Sequence, residues 1–161
     1  MTYPWNSLDV LTAADLNAFG GSVQQLVDSQ TVSVANATST LADTGLSITV
    51  TPKSTSSLIV MHFSVPCYAP AGNAYNSVAF GILRDAAIIY GQNGYLYDGD
   101  STTQHLGQWC MTYFDTPNTT SAVTYKLQFA NHPYGSGTVS VVPSTGAGYP
   151  YAFMHLFEVA R

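Results

Sequence analysis

The sequence predicts a mainly β protein: an antiparallel jelly-roll sandwich preceded by a short N-terminal helical anchor segment. Three observations predict it. Short runs rich in Val, Ile, Thr, Tyr and Phe recur from about residue 31 onward, and clusters of Gly, Pro, Asn and Asp separate them. Before residue 30 the apolar period is instead that of a helix. The expected division is an anchor over 1–30 and a β-sandwich domain over 31–161.

In the anchor, "LTAADLNAFGGSVQQLVDSQ" offers Thr12 as an N-cap with Asp15 three residues on, which sets a carboxylate at the positive end of a helix. Leu16, Phe19, Val23 and Leu26 follow at spacings of three, four and three, an apolar stripe on one helical face. The stripe is too short to hold a coiled coil alone. Gly20 and Gly21 each cost about 1 kcal/mol against Ala in a helix, so a break is expected there. Ahead of it, Tyr3 and Trp5 flank a proline, and Leu8, Val10 and Leu11 continue the apolar character. These nine apolar residues form the expected partner-binding set.

Nine strands are expected after the anchor, at 31–35, 46–51, 57–65, 76–84, 87–91, 106–114, 122–129, 137–142 and 153–160. "RDAA" (84–87) fits a tight hairpin. "DTPNTTSAVTYKLQF" (115–129) is a turn that empties into a strand. Asp115 and Asn118 can bond their own backbone, and Pro117 pushes Thr116 away from helix. Val123, Tyr125, Leu127 and Phe129 then alternate with Thr124, Lys126 and Gln128, as in a strand with one dry face and one wet face. No repeat at a fixed period suggests a propeller or solenoid. Open sheets leave edges that aggregate, and a jelly roll, whose edges oligomer contacts can cover, answers that hazard.

Charged residues are 8% of the chain, against about 25% in an ordinary soluble protein. Two readings follow: a neutral hydroxyl-rich surface suited to harsh surroundings, or a surface largely buried against copies of itself or a larger assembly. The second is favoured, because neutral faces cost little to desolvate. Net charge is −5, with Lys53, Arg84, Lys126 and Arg161 the whole basic complement, too few for a phosphate-tracking groove, so nucleic acid is excluded as a partner. No apolar run reaches membrane-spanning length, and the N-terminus lacks the pattern of a secretory signal. Cys67 and Cys110 are expected to be buried thiols, not a disulfide.

Chemistry is nearly absent. His62, His105, His132 and His155 never fall in a ligand spacing, and Glu158 is the single glutamate. Asp98 and Asp100 in "YDGDS" lack the further oxygens of a calcium loop. No nucleophile elbow, P-loop or dinucleotide fingerprint occurs. The expectation is therefore no catalysis, no metal and no cofactor. The turn-rich segments do carry Tyr68, Tyr75, Tyr95, Tyr97, Tyr134, Tyr149 and Tyr151. Rigid amphipathic rings serve both receptor-binding loops and subunit interfaces, and both roles stay open.

Four stretches, "DTGLSITVTPKSTSSLIVMHFSV" (43–65), "ILRD" (82–85), "DTPNTTSAVTYKLQF" (115–129) and "MHLFEVA" (154–160), resemble in this order the jelly-roll domain of bacteriophage fibre and decoration proteins, similar in fold to the trimeric tumour-necrosis-factor and complement type. Residues 9–27 resemble the anchoring segment that begins many phage appendage proteins. The resemblance implies a homotrimer, fixed to a virion assembled in the host cytoplasm. Its partner there would be the major capsid protein or another virion protein. With no shaft between anchor and jelly roll, a capsid decoration, cement or short head-fibre role is expected. The alternative is a tail appendage that binds a host-surface glycan through the tyrosine loops.

Overall fold

The computed structural model describes residues 23–97, 102–141 and 151–159. All nine expected strands are present, and a tenth precedes them. In chain order they are β1 (Val23–Gln30), β2 (Val34–Asn36), β3 (Ala42–Val50), β4 (Leu58–Ala69), β5 (Val78–Arg84), β6 (Ala87–Tyr95), β7 (His105–Asp115), β8 (Val123–Asn131), β9 (Val139–Val141) and β10 (Ala152–Val159).

The strands form two antiparallel sheets in a sandwich. The larger is built on β4, the longest strand. β7 runs along one edge of β4 from Ile59 to Ala69. On the other edge β10 pairs with Leu58–Ser64 and β9 continues in line at Cys67 and Tyr68. β1 lies outside β10, and β2 outside β9. The smaller sheet has the order β3-β8-β5-β6.

Period-two alternation places the core between them. β8 buries Val123, Tyr125, Leu127 and Phe129, and β4 buries Ile59, Met61, Phe63 and Val65. Phe80 and Trp109 stack across the sheets at 4.3 Å and 16°, with Phe63 5.7 Å from the same indole. Each such large apolar side chain contributes about 1.5–3 kcal/mol by leaving water.

The turns follow the local chemistry. The β5–β6 hairpin turns at Asp85, which adopts φ 54°. Its N–H donates to the Thr124 carbonyl at 2.7 Å, and its Oδ1 accepts the Thr124 N–H at 2.9 Å, so the turn is docked onto β8. Asn118 takes φ 55° in the turn before β8, a conformation that Asn tolerates better than most residues.

Side chains bonded to backbone stitch both open flanks of the sandwich. On one flank the Asp28 Oδ2 accepts the Ser47 N–H at 2.8 Å and the Gln30 amide donates to the Thr44 carbonyl at 3.3 Å. These bonds reach a β3 irregularity between Asp43 and Ser47, where Gly45 takes φ 94° and a Cβ would collide with the Gln30 side chain. On the other flank Tyr95 donates to the Gln108 carbonyl at 2.7 Å and Tyr113 to the Ile89 carbonyl at 2.8 Å, while the Trp109 indole donates to Gln92 at 2.9 Å.

The expected helix is corrected over its described part. Val23 and Leu26, taken as members of a helical stripe, lie in β1, where Val23 pairs with Val159 and Leu26 with Leu156. Tertiary pairing overrides the short helical period there: β10 would otherwise expose its ladder groups along that edge. Tyr3, Trp5, Leu8, Val10, Leu11, Leu16 and Phe19 lie outside the described residues, as does Tyr149. Among the described residues no helix is long and apolar enough to cross a membrane.

Candidate functional site

The outward face of the larger sheet is the first candidate. Strand parity sets Leu58, Val60, His62 and Ser64 of β4 outward, beside Phe153, His155, Phe157 and Val159 of β10 and Leu106, Gln108, Cys110, Thr112 and Phe114 of β7. Rows run across the strands: Phe157, Val60 and Phe114 in one, His155, His62 and Thr112 in the next, Phe153, Ser64 and Cys110 in a third. Phe114 and Val27 are 59% and 55% exposed on this face.

This face carries no charged side chain among the described residues. The sheet has three described carboxylates, Asp28, Asp115 and Glu158, and all of them turn toward the other sheet. Asp28 caps Ser47 as above. Asp115 takes both its carboxylate oxygens to the Arg84 guanidinium at 3.0–3.1 Å and accepts the Tyr125 hydroxyl at 2.7 Å. Glu158, fully buried, accepts the Lys53 N–H at 2.6 Å and the Ser57 hydroxyl at 2.7 Å, so it holds the β3–β4 connection in place. Burial, then the bond to Asp115, push the Tyr125 phenol well above its ordinary value. The opposite outer face is wet: Asp43 meets Lys126 at 3.7 Å and Gln128 at 2.8 Å, and Thr49 bonds Thr124.

Several polar groups on the neutral face pair with one another. His62 Nδ1 and the Thr112 hydroxyl are 2.6 Å apart, Gln108 donates to Ser64 at 2.6 Å, and the Cys110 thiol lies 3.7 Å from the same oxygen. A shallow cavity of about 310 Å³ is lined by His62, Ser64, Cys110, Thr112 and Phe153. The imidazole of His155 is flanked along its own strand by Phe153 at 4.9 Å and Phe157 at 6.3 Å. The expected burial of both cysteines is half corrected: Cys67 is buried, with its thiol pushed up to about 12 by desolvation, but Cys110 is exposed because β7 alternation turns it outward. Both are free thiols.

The second candidate is the loop end beyond β4, β5 and β8. Two buried amides organise it. The Asn131 amide donates to the Gly137 carbonyl at 2.8 Å, and its oxygen accepts from His132 N–H at 2.8 Å and Ser77 N–H at 3.3 Å. The Asn76 amide donates to the Pro70 carbonyl at 2.9 Å and its oxygen accepts the Ser136 and Gly137 N–H groups. A Cβ at Gly135 or Gly137 would strike these amides.

On this base Tyr75, Tyr97 and Tyr134 converge with His132, which sequence reasoning did not single out as a partner of the tyrosines. The other loop tyrosines are dispersed. Tyr68 is in β4, bonded to Gln104 at 3.2 Å; Tyr95 closes β6 against the core, its phenol raised mainly by burial; Tyr151 is exposed just ahead of β10. The neutral face did have a sequence signal, since "SLIVMHFSV" and "FMHLFEVA" are apolar on both faces of their strands, the mark of a sheet covered on both sides. Among the described residues no three metal-ligating side chains gather. The chain matches no model of a known protein family and no curated protein sequence.

Proposed function

We propose that the chain is a structural protein of a phage virion, a homotrimer packed through the outward face of the larger sheet, serving as capsid decoration, cement or a short head fibre. The observation that carries this reading is the charge-free face. It spans about four strand spacings by the length of β4, on the order of 700 Å², close to the roughly 800 Å² that each partner of a stable complex buries.

Strand order supports the jelly-roll form of the sandwich. If β1 and β2 are one interrupted strand, and β9 and β10 another, the sheets run first-eighth-third-sixth and second-seventh-fourth-fifth. That is the double Greek-key order of the resemblance drawn above. The trimer and the virion setting rest on that resemblance and on the neutral composition. The segment over 1–22 would dock the trimer to the major capsid protein.

Light scattering on the purified chain tests the association, with a trimer expected and a monomer from Phe157→Glu or Val60→Glu. A wild-type monomer at high concentration would overturn it. Cryo-electron microscopy of particles carrying the chain tests the location, with trimers expected on the capsid lattice. Density at the tail would favour the second reading, a receptor-binding appendage, which the exposed ring cluster supports.

A further inference from the structure

We infer that Tyr75, Tyr97, His132 and Tyr134 form a binding site for a neutral saccharide, a function independent of how copies pack and of where on a particle they sit. The geometry of the rings points to it. Tyr75, Tyr97 and His132 are mutually near-parallel, within 18–23°, and their three centroid distances are 6.0, 5.9 and 6.3 Å. A column of three stacked rings would place the outer pair near twice the distance of neighbours. Three equal separations instead lay the rings as staggered tiles. Tyr134 stands edge-on to Tyr75 at 71° and 5.7 Å, a wall beside the tiles.

The rings face water: Tyr75, Tyr97 and Tyr134 are 45%, 48% and 72% exposed. Tyr75, His132 and Tyr134 are nonetheless held from below by Asn76 and Asn131, which tie the loops over 70–77 and 132–138 together, so little ordering of these three remains to be done on binding. Tyr97 joins them from the turn after β6, where its N–H donates to the Gly94 carbonyl at 3.3 Å. The polar rim is arranged as well. The Tyr134 N–H donates to His132 Nδ1 at 3.2 Å, which places the neutral imidazole's proton on Nε2 as an available donor. The phenolic oxygens of the three tyrosines make no hydrogen bond among the described residues.

Three ligand classes fit worse. Near-parallel rings do not enclose a cation as an aromatic cage does. An acidic or phosphorylated ligand would find no Lys or Arg among the described residues of these loops, since Lys53, Arg84 and Lys126 lie outside them. A nucleic-acid base could stack, but its phosphates would meet the same lack and a chain of net charge −5. A pyranose offers a flat C–H face for the tiles and a ring of hydroxyls for the phenols and the imidazole, without charge.

Saturation-transfer NMR on the full chain, with lactose, cellobiose and diacetylchitobiose as probes, tests the site. At about 10 mM sugar, a site with Kd of about 1 mM is nearly saturated. Transfer to ring C–H protons is expected for at least one probe. Tyr134→Ala, at the most exposed ring, should weaken it at least about tenfold with an unchanged melting temperature, and Tyr75→Ala likewise. Tyr151→Ala, outside the cluster, should leave it intact. No transfer to any probe would overturn the proposal, as would transfer that survives both substitutions. Binding of a proline-rich peptide or choline at these rings, with none of the sugars, would overturn it too.

Discussion

At Asp115 one carboxylate holds a guanidinium and a buried phenol at once, so Asp115→Ala leaves both Arg84 and Tyr125 without their partner. A loss of about 2 kcal/mol is expected in urea unfolding, most of it from stranded polar groups. The Tyr125 phenol has its pKa raised on folding, so the stability it confers is whole below the ordinary phenol value of 10.0 and is lost as pH climbs beyond it. Thermal unfolding followed from pH 8 upward should show the melting temperature falling above that value, and less steeply in Tyr125→Phe. The two cysteines give a contrast of the same kind. Near pH 8, in the chain dissociated by Phe157→Glu, iodoacetamide should modify Cys110 and spare Cys67, whose thiolate is suppressed by burial. Mass spectrometry of the tryptic peptides reads the outcome.

At the scale of elements, most of the nine expected strands were legible because they alternate around a buried side, as β8 does with Tyr125 and Leu127, whereas β5 is buried on both faces and read as a short apolar run between turns. β1 was not. Its inward positions include Asp28 and Gln30, polar because they cap β3 backbone groups, and this erases the period-two pattern that marks a strand. Leu26 then fell into a three-four-three spacing with residues ahead of it. The loop cluster was only half legible. Tyrosines in turns could be listed, but Tyr75 and Tyr134 are brought together by Asn76 and Asn131, and buried side-chain amides leave no periodic trace. Asn131→Ala should therefore cost about 2–3 kcal/mol, because the Gly137 carbonyl and the Ser77 N–H lose their Asn131 partner inside the protein, while the His132 N–H keeps the Ser77 carbonyl. Chemical unfolding gives the stability, and the near-ultraviolet tyrosine signal should report the loosened rings.

For the whole molecule, the two sheets differ in kind: one outer face has an ion pair and paired hydroxyls, the other has rows of phenylalanine, valine and histidine with no carboxylate, Lys or Arg among the described residues. Copies that meet through the second face associate by excluding water, with no ion pairs there to screen. The oligomer should therefore survive about 1 M salt, a level that collapses the Debye length to about 3 Å. Light scattering across a salt series checks this. Dissociation by salt would assign the contact to the charged face instead.

The stitched flanks give that association a limit. A sandwich has borders where backbone carbonyls could recruit a strand from a neighbour, and such recruitment has no natural end. Here Tyr95, Tyr113 and Gln30 already occupy the Gln108, Ile89 and Thr44 carbonyls. If copies pair through the flat face as proposed, these occupied carbonyls would hinder a second, sideways mode of growth and favour a counted assembly over a fibril.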